Sequence, residues 1–197
     1  MIILFGLAGS GKGTQGKALS EIFGWRWLSV GEAIRQTGEY KDIIDRGELI
    51  SDAEVIKLMN KQIEKAEQEG FEVILDGYPR DKEQAEWLVS NMLDKLDGAI
   101  LLEVPKDELY KRLALRGRDD DKERASIERR FEIFEQNICS ILPLFETHNI
   151  PVKHINGVGL VGEVTARLVD AVKELNPAAT EQVSDVNGGE IEKSYGE

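Results

Sequence analysis

The sequence has little cysteine and no long apolar run. Its single cysteine, Cys139, cannot form an internal disulfide or complete a four-cysteine zinc site. The neighbouring Ile138 and Ile141 favour a position for it in or near the core. The apolar run Met1 to Phe5 is shorter than the core of a signal peptide, and no run reaches the roughly 18 residues that span a bilayer. We therefore expect a soluble protein of the reducing cytoplasm.

The sequence is also short of basic charge. It has 25 Lys and Arg residues against 37 Asp and Glu residues, a formal net charge of −12. Proteins that bind along a nucleic-acid backbone need a basic surface, so this balance argues against such a partner. A small polyanionic ligand held by a few local cations remains compatible with it. With 197 residues, 41% of them apolar, the chain is long enough for one domain with a substantial core.

Short apolar runs alternate with helical patterns along most of the chain. Runs without polar alternation are typical of strands buried on both faces of a parallel sheet. The predicted strands cover residues 2–5, 27–30, 73–75, 99–102 and 152–155. The predicted helices cover residues 12–23, 52–69, 84–92, 106–115, 127–145 and 161–175. This order predicts an α/β fold with right-handed crossovers.

Three segments depart from the simple alternation. Residues 31–70 are longer than one crossover needs, which indicates an inserted helical lobe. Residues 116–126 are almost wholly polar and lie between two predicted helices, so we expect a mobile loop. From Pro177 onward the apolar periodicity stops, and residues 177–197 are expected to form a disordered acidic tail after a single domain of residues 1–176.

The strongest motif is the glycine-rich run from Gly6 to Thr14, between the first predicted strand and the first predicted helix. Its glycines allow successive backbone N–H groups to point into one concavity, and the helix N-terminus adds a partial positive charge. Lys12 would bring a full charge to terminal phosphates, and a hydroxyl at the helix start can ligate magnesium. The run departs from the common phosphate-loop pattern because Gly13 directly follows the lysine.

The run Gly11-Lys12-Gly13-Thr14-Gln15 resembles the nucleoside monophosphate kinases, and among them the adenylate kinases with a short lid. The resemblance extends from Met1 to about Leu175. It implies a P-loop three-layer sandwich with a five-stranded parallel sheet, an NMP-binding lobe at residues 30–60 and a short lid at residues 117–126. The implied reaction is reversible transfer of a phosphoryl group from ATP·Mg²⁺ to AMP, giving two ADP. A monomer without structural zinc is expected.

Three segments resemble the acceptor side of that family. Residues 28–35 match the segment whose arginine holds the acceptor phosphate, with a valine where a threonine is usual. Residues 47–52 match the turn that frames the acceptor base, and residues 76–80 with the glutamine at 84 are close to the family's most specific signature. The resemblance implies acceptor binding by Val30, Arg35, Glu48, Ile50, Gly77, Arg80, Gln84, Arg118 and Arg130.

Other matches imply the donor and lid residues. The donor set comprises Gly9, Ser10, Gly11, Lys12, Gly13, Thr14, Arg112 and Gly159. The implied catalytic residues are Lys12, Arg80, Arg112, Arg116, Arg118 and Arg130, while Thr14 and Asp76 would lie near magnesium. The second lid arginine is Arg129 by counting from Arg118, or Arg130 by helical register with its apolar neighbours. Register is the better guide, since a slip of one residue turns a helical side chain by about 100°.

Converging arginines are suited to phosphoryl transfer, and this argument does not depend on the family resemblance. Their planar forks bind phosphate oxygens in pairs and stay charged, which offsets the repulsion between two anions. Val30 and the short lid leave two alternatives open: a kinase for UMP, CMP or another nucleoside monophosphate, and an inactive nucleotide-binding module. A GTPase switch is disfavoured for two reasons. Asp76 does not begin the required Asp-x-x-Gly pattern, since Pro79 stands at the fourth position, and no guanine-recognition motif is present.

Overall fold

The computed structural model describes residues 1–37, 50–117 and 123–179. Within them five strands form one parallel sheet in the order β2-β3-β1-β4-β5, which confirms the predicted α/β class. Ile3 at the centre pairs with Leu75 on one side and Ala99 on the other. The strands are β1 (Ile2–Phe5), β2 (Arg26–Ser29), β3 (Val73–Asp76), β4 (Gly98–Glu103) and β5 (Val152–Asn156).

Seven α-helices within the described residues connect and cover the strands: α1 (Lys12–Phe23), α2 (Val30–Thr37), α3 (Asp52–Gln68), α4 (Lys82–Met92), α5 (Lys106–Arg116), α6 (Arg124–Thr147) and α7 (Val161–Leu175). Local sequence explains several of their ends. Ser51 and Glu54 form a capping box at the start of α3. Asp81 accepts a hydrogen bond from Gln84 N at the start of α4. Gly24, in the left-handed conformation, ends α1.

The core lies on both faces of the sheet, because side chains of β1 alternate between them. Ile3 and Phe5 join the cluster packed by α3, α4 and α6, whereas Ile2 and Leu4 join the cluster packed by α1 and α7. Both faces of β1 are therefore covered, which explains why this strand has no polar alternation. The result is three layers, with every parallel strand ending at the same edge of the sheet.

One burial prediction is wrong. Cys139 is exposed, although its neighbour Ile138 is buried. The two side chains differ by one residue on α6, which rotates them about 100° apart around the helix axis. The core is reached by Ile138, Ile141 and Phe145 instead.

Some predicted features lie outside the described residues. These are half of the expected lid, residues 118–122, part of the expected lobe, residues 38–49, and residues 180–197. Among the residues after Pro177, Ala179 is buried against the cluster of α1 and α7, and its N–H donates to Asn176 O.

Candidate active site

The phosphate loop joins β1 to α1 at the carboxyl edge of the sheet. Gly9 has φ +85°, and an added Cβ would lie 3.0 Å from Leu113 Cγ and 3.2 Å from Leu109 O, so both conformation and space require glycine. Gly11, the N-cap of α1, has φ +98° and provides no side chain to cap the helix. The first N–H groups of α1 thus remain available to an anion.

Lys12 lies inside this loop. Its Nζ donates to Gly6 O at 2.5 Å and to Leu7 O at 3.1 Å, so the loop's own carbonyls hold the ammonium. Burial lowers the pKa of Lys12; Asp76 opposes that shift, while Arg80 and Arg116 add to it. A bound polyphosphate would compensate the desolvated charge far better than two carbonyls do.

Asp76 ends β3 and is only 7% exposed. Burial raises the pKa of its carboxyl, against the lowering effects of Lys12, the Trp27 indole and Arg80, and with a further raising effect from Glu32. A Cβ added at Gly13 would lie 3.7 Å from both Asp76 Oδ2 and Trp27 Cζ2, so this glycine brings the loop close to the carboxylate. The strand end is therefore a buried carboxylate facing a cluster of cations.

Arginines approach the same space from several elements. Arg80 Nε donates to Gly77 O at 2.9 Å. Arg112, on α5, donates from Nε to Glu108 Oε1 at 2.9 Å and from Nη2 to Gly157 O at 3.1 Å. Its Nη1 lies 3.4 Å from Ser10 O, so one guanidinium bridges the phosphate loop and the turn after β5.

These groups line one cavity of about 1000 Å³. The lining includes Lys12, Asp76 and the arginines at positions 80, 112, 116 and 130, together with all eight residues of the predicted donor set. Arg130 lines it, whereas the alternative Arg129 is exposed on α6 and does not. The volume lies at the upper end of the range usual for small-molecule sites.

The predicted acceptor residues are divided. Gly77, Arg80 and Arg130 line the cavity. Val30 is 0% exposed in the core cluster of α3, α4 and α6, and the half-buried Ile50 packs against that cluster. The Arg35 side chain, Glu48 and Arg118 lie outside the described residues.

Gln84 is 2% exposed, and its amide already has partners. Nε2 donates to Asp52 Oδ1 at 2.6 Å, and Oε1 accepts from Arg80 N at 2.9 Å. The bond to Asp52 connects the start of α3 to the start of α4. Within the described residues, Gln84 thus holds together the two helix starts that flank the expected acceptor side.

Sequence reasoning assigned no role to several cavity residues, among them Trp27 and Glu32. Trp27, interpreted there as ordinary packing, lies against Gly13 and Gly16, and its indole lowers the pKa of the Asp76 carboxyl. Glu32, to which no role was assigned, lines the cavity near Asp76. Both follow or belong to β2, which is the sheet neighbour of β3. The signal that would have found them is this strand order, which no local pattern carries.

Two findings limit other kinds of site. Residues 1–37, 50–117 and 123–179 contain no group of three or more His, Cys, Asp or Glu side chains arranged to hold a metal ion. In the same part of the chain, no helix combines the length and the apolar character that crossing a membrane demands.

Comparison with known proteins gives a consistent family. A family model described as "Adenylate kinase" matches residues 4–150. Adenylate kinase of Maricaulis maris is 36% identical over 188 residues, covering 88% of this chain and 98% of the relative. That of Mycolicibacterium smegmatis is 35% identical over 183 residues, with coverages of 87% and 98%. That of Thermus thermophilus is 32% identical over 182 residues, with coverages of 85% and 94%.

Proposed function

The chain belongs to the adenylate kinase family, and from that premise we propose that it transfers the γ-phosphoryl group of ATP·Mg²⁺ reversibly to AMP, giving two ADP. The observation that carries this proposal is the convergence of Lys12, Asp76 and four arginines on one cavity beside the phosphate loop. Phosphoryl transfer needs two anions aligned, their repulsion offset and water excluded. A cavity rich in fixed cations is suited to that task, even in a protein with a net charge of −12.

On the donor side, the proposal places the ATP phosphates on the N–H groups of the loop and the start of α1. Lys12 would exchange the carbonyls of Gly6 and Leu7 for phosphate oxygens. Arg112 would lie over the adenine, beside the turn that contains Gly159. Arg116 would reach the transferring phosphoryl group, where its guanidinium stabilises the charge that develops in the transition state.

On the acceptor side, Arg80 and Gly77 support a phosphate site because they line the cavity at the end of β3. Gln84 would recognise the acceptor base by exchanging its bond to Asp52 for one to the base. Val30, Arg35, Glu48, Ile50, Arg118 and Arg130 complete the proposed set on the strength of the resemblance. We also propose that residues 30–60 and 117–126 close over the two nucleotides and exclude water.

The residues at the end of β3 fit a magnesium ion. Mg²⁺ usually keeps several waters and is held by one or two carboxylates together with substrate phosphates, rather than by a complete protein cage. Asp76 and the Thr14 hydroxyl, both at the cavity, offer such a partial donor set, and Glu32 lies nearby. When bound, the ion would neutralise charge on the phosphates. Asp76 would orient its water ligands.

Acceptor choice is tested by comparing turnover of AMP, CMP, UMP and GMP with ATP·Mg²⁺ under identical conditions. AMP is expected to give the highest kcat/KM. A preference for UMP or CMP would replace the proposed acceptor, and saturable ATP binding without turnover of any acceptor would indicate an inactive module. Analytical ultracentrifugation of the same sample tests the further proposal that the protein acts as a monomer, and fractionation of cells tests its proposed place in the cytoplasm.

A further inference from the structure

We propose that Gln15 is a positioning residue that fixes the distance between the phosphate site and the adenine site of the donor nucleotide. The inference rests on the proposed function, because the distance concerned is that between the two ends of ATP. It assigns a task to a buried polar side chain that lines the cavity but had no predicted role.

The Gln15 amide is held at both of its polar atoms by one other helix. Gln15 is 3% exposed near the start of α1. Its Nε2 donates to Val161 O at 3.1 Å, and its Oε1 accepts from Thr165 Oγ1 at 2.8 Å. Both partners lie in the first turns of α7, about 150 residues along the chain. A buried amide with two defined partners has little rotational freedom.

The two helix starts joined in this way belong to different parts of the donor site. The start of α1 presents the phosphate loop. The start of α7 follows the turn at residues 157–160, where Gly157 O accepts from Arg112 and Gly159 lines the cavity. Small displacements of positioned groups reduce the efficiency of binding and catalysis strongly. Gln15 connects the start of α1 to the start of α7 directly, and it does so independently of Arg112, to which the proposed function already gives a role at the adenine.

The surroundings of Gln15 allow a clean substitution. Thr165 Oγ1 also lies 2.8 Å from Val161 O, so that carbonyl retains a donor when the Gln15 amide is removed. Methionine is similar to glutamine in length and flexibility and fills buried space well. Gln15→Met is therefore expected to fold, because the apolar cluster still packs α1 against α7, while the hydrogen bonds from Gln15 to α7 are lost.

The experiment compares ATP with inorganic tripolyphosphate, which occupies only the phosphate part of the donor site. In calorimetric titrations, Gln15→Met is expected to weaken ATP binding about 5-fold, the effect of losing roughly one net hydrogen bond, and to change tripolyphosphate binding less than about 2-fold. In turnover assays, KM for ATP should rise while KM for AMP stays unchanged. The matched control is Gln68→Met, at the exposed end of α3, which should change neither quantity.

Thr165→Val removes one of the two bonds that form this link and leaves the bond from Gln15 Nε2 to Val161 O, so it should produce a smaller loss of the same selectivity. Because the bond to Thr165 is one of those that Gln15→Met already removes, the double variant should bind ATP no more weakly than Gln15→Met alone. Equal weakening of ATP and tripolyphosphate would overturn the inference, since Gln15 would then act on the phosphate loop alone. Unchanged ATP binding in Gln15→Met would overturn it as well. If the unmodified protein bound neither ligand, the proposed function itself would fail, which is a distinct result.

Discussion

Replacing Gly16 by alanine tests the packing beneath the candidate active site. Gly16 lies within α1, where the indole of Trp27 covers it. A Cβ added to Gly16 would meet Trp27 Cδ1 and Nε1 at 2.4 Å and Leu4 Cδ1 at 3.4 Å. The first two contacts are far shorter than the about 3.5–4.0 Å at which nonbonded carbon atoms are in favourable contact. The indole would have to move away from α1, and this movement would change its position relative to Asp76.

Two opposing terms set the size of the effect. In an exposed helix, alanine is more favourable than glycine by about 1 kcal/mol. Forcing an extra methyl group into a packed site typically costs about 1–3 kcal/mol, and more when the neighbour is rigid. Because the indole ring is rigid, we expect the clash to dominate, with a net loss of about 1–2 kcal/mol in the free energy of unfolding. For a chain of this size, that corresponds to a fall in Tm of about 2–8 °C.

Gly162 provides a matched control. It also lies in a helix, α7, but an added Cβ there meets no atom within 4 Å among the described residues. Gly162→Ala should therefore leave stability unchanged or raise it by up to about 1 kcal/mol. Thermal and urea denaturation of both variants measures the contrast. The reasoning is refuted if Gly16→Ala is as stable as the unmodified protein, or if Gly162→Ala loses as much as Gly16→Ala does.

Three further variants test single groups in and around the site. Lys12→Met should lower kcat about 100-fold or more in a coupled turnover assay through lost charge stabilisation, and activity within threefold of normal would remove Lys12 from the mechanism. Tyr78→Phe should raise the free energy of unfolding by up to about 1 kcal/mol in urea titrations, because the buried Tyr78 hydroxyl has no hydrogen-bond partner among the described residues. A clear loss of stability would show that the hydroxyl has a partner. Burial raises the pKa of the Asp81 carboxyl, and Asp52 adds to the shift. The native state therefore holds the carboxyl proton more tightly than the unfolded chain does, so ionisation of Asp81 lowers the stability as the pH rises above about 4. Asp81→Asn keeps a good N-cap, and its Tm relative to the unmodified protein should increase from pH 4 to pH 7 in calorimetry; a constant or falling difference would contradict this sign.

Much of the fold and of the donor site could be predicted because the relevant physics is local in sequence. The run Ile2 to Phe5 has no polar residue, and the structure buries both faces of that strand. Gly9 and Gly11 adopt positive φ angles in the loop that was predicted to present backbone N–H groups. The Lys12 side chain lies within reach of the loop carbonyls because Lys12 belongs to the same run, residues 6–14.

The acceptor side could be predicted less completely, and Gln84 and Val30 show why. Composition and spacing say that a glutamine follows the signature at residues 76–80, but not that its amide bonds to Asp52 and to Arg80 N. They say that a valine stands where a threonine is usual, but not that its side chain is wholly buried. Partners distant in sequence decide both environments.

By itself, the sequence determined most of the strands and helices, where the phosphate loop begins, and which cations are available to it. One exception is Val30, which was predicted to end the second strand and instead begins α2. The order of the strands in the sheet was decided only by the tertiary structure, and this order brings Trp27 and Glu32 beside Asp76 and places Gln15 against Thr165. The physical reason is that periodicity and turn chemistry act over a few residues, whereas the packing of layers against a sheet depends on the shapes of all its elements at once.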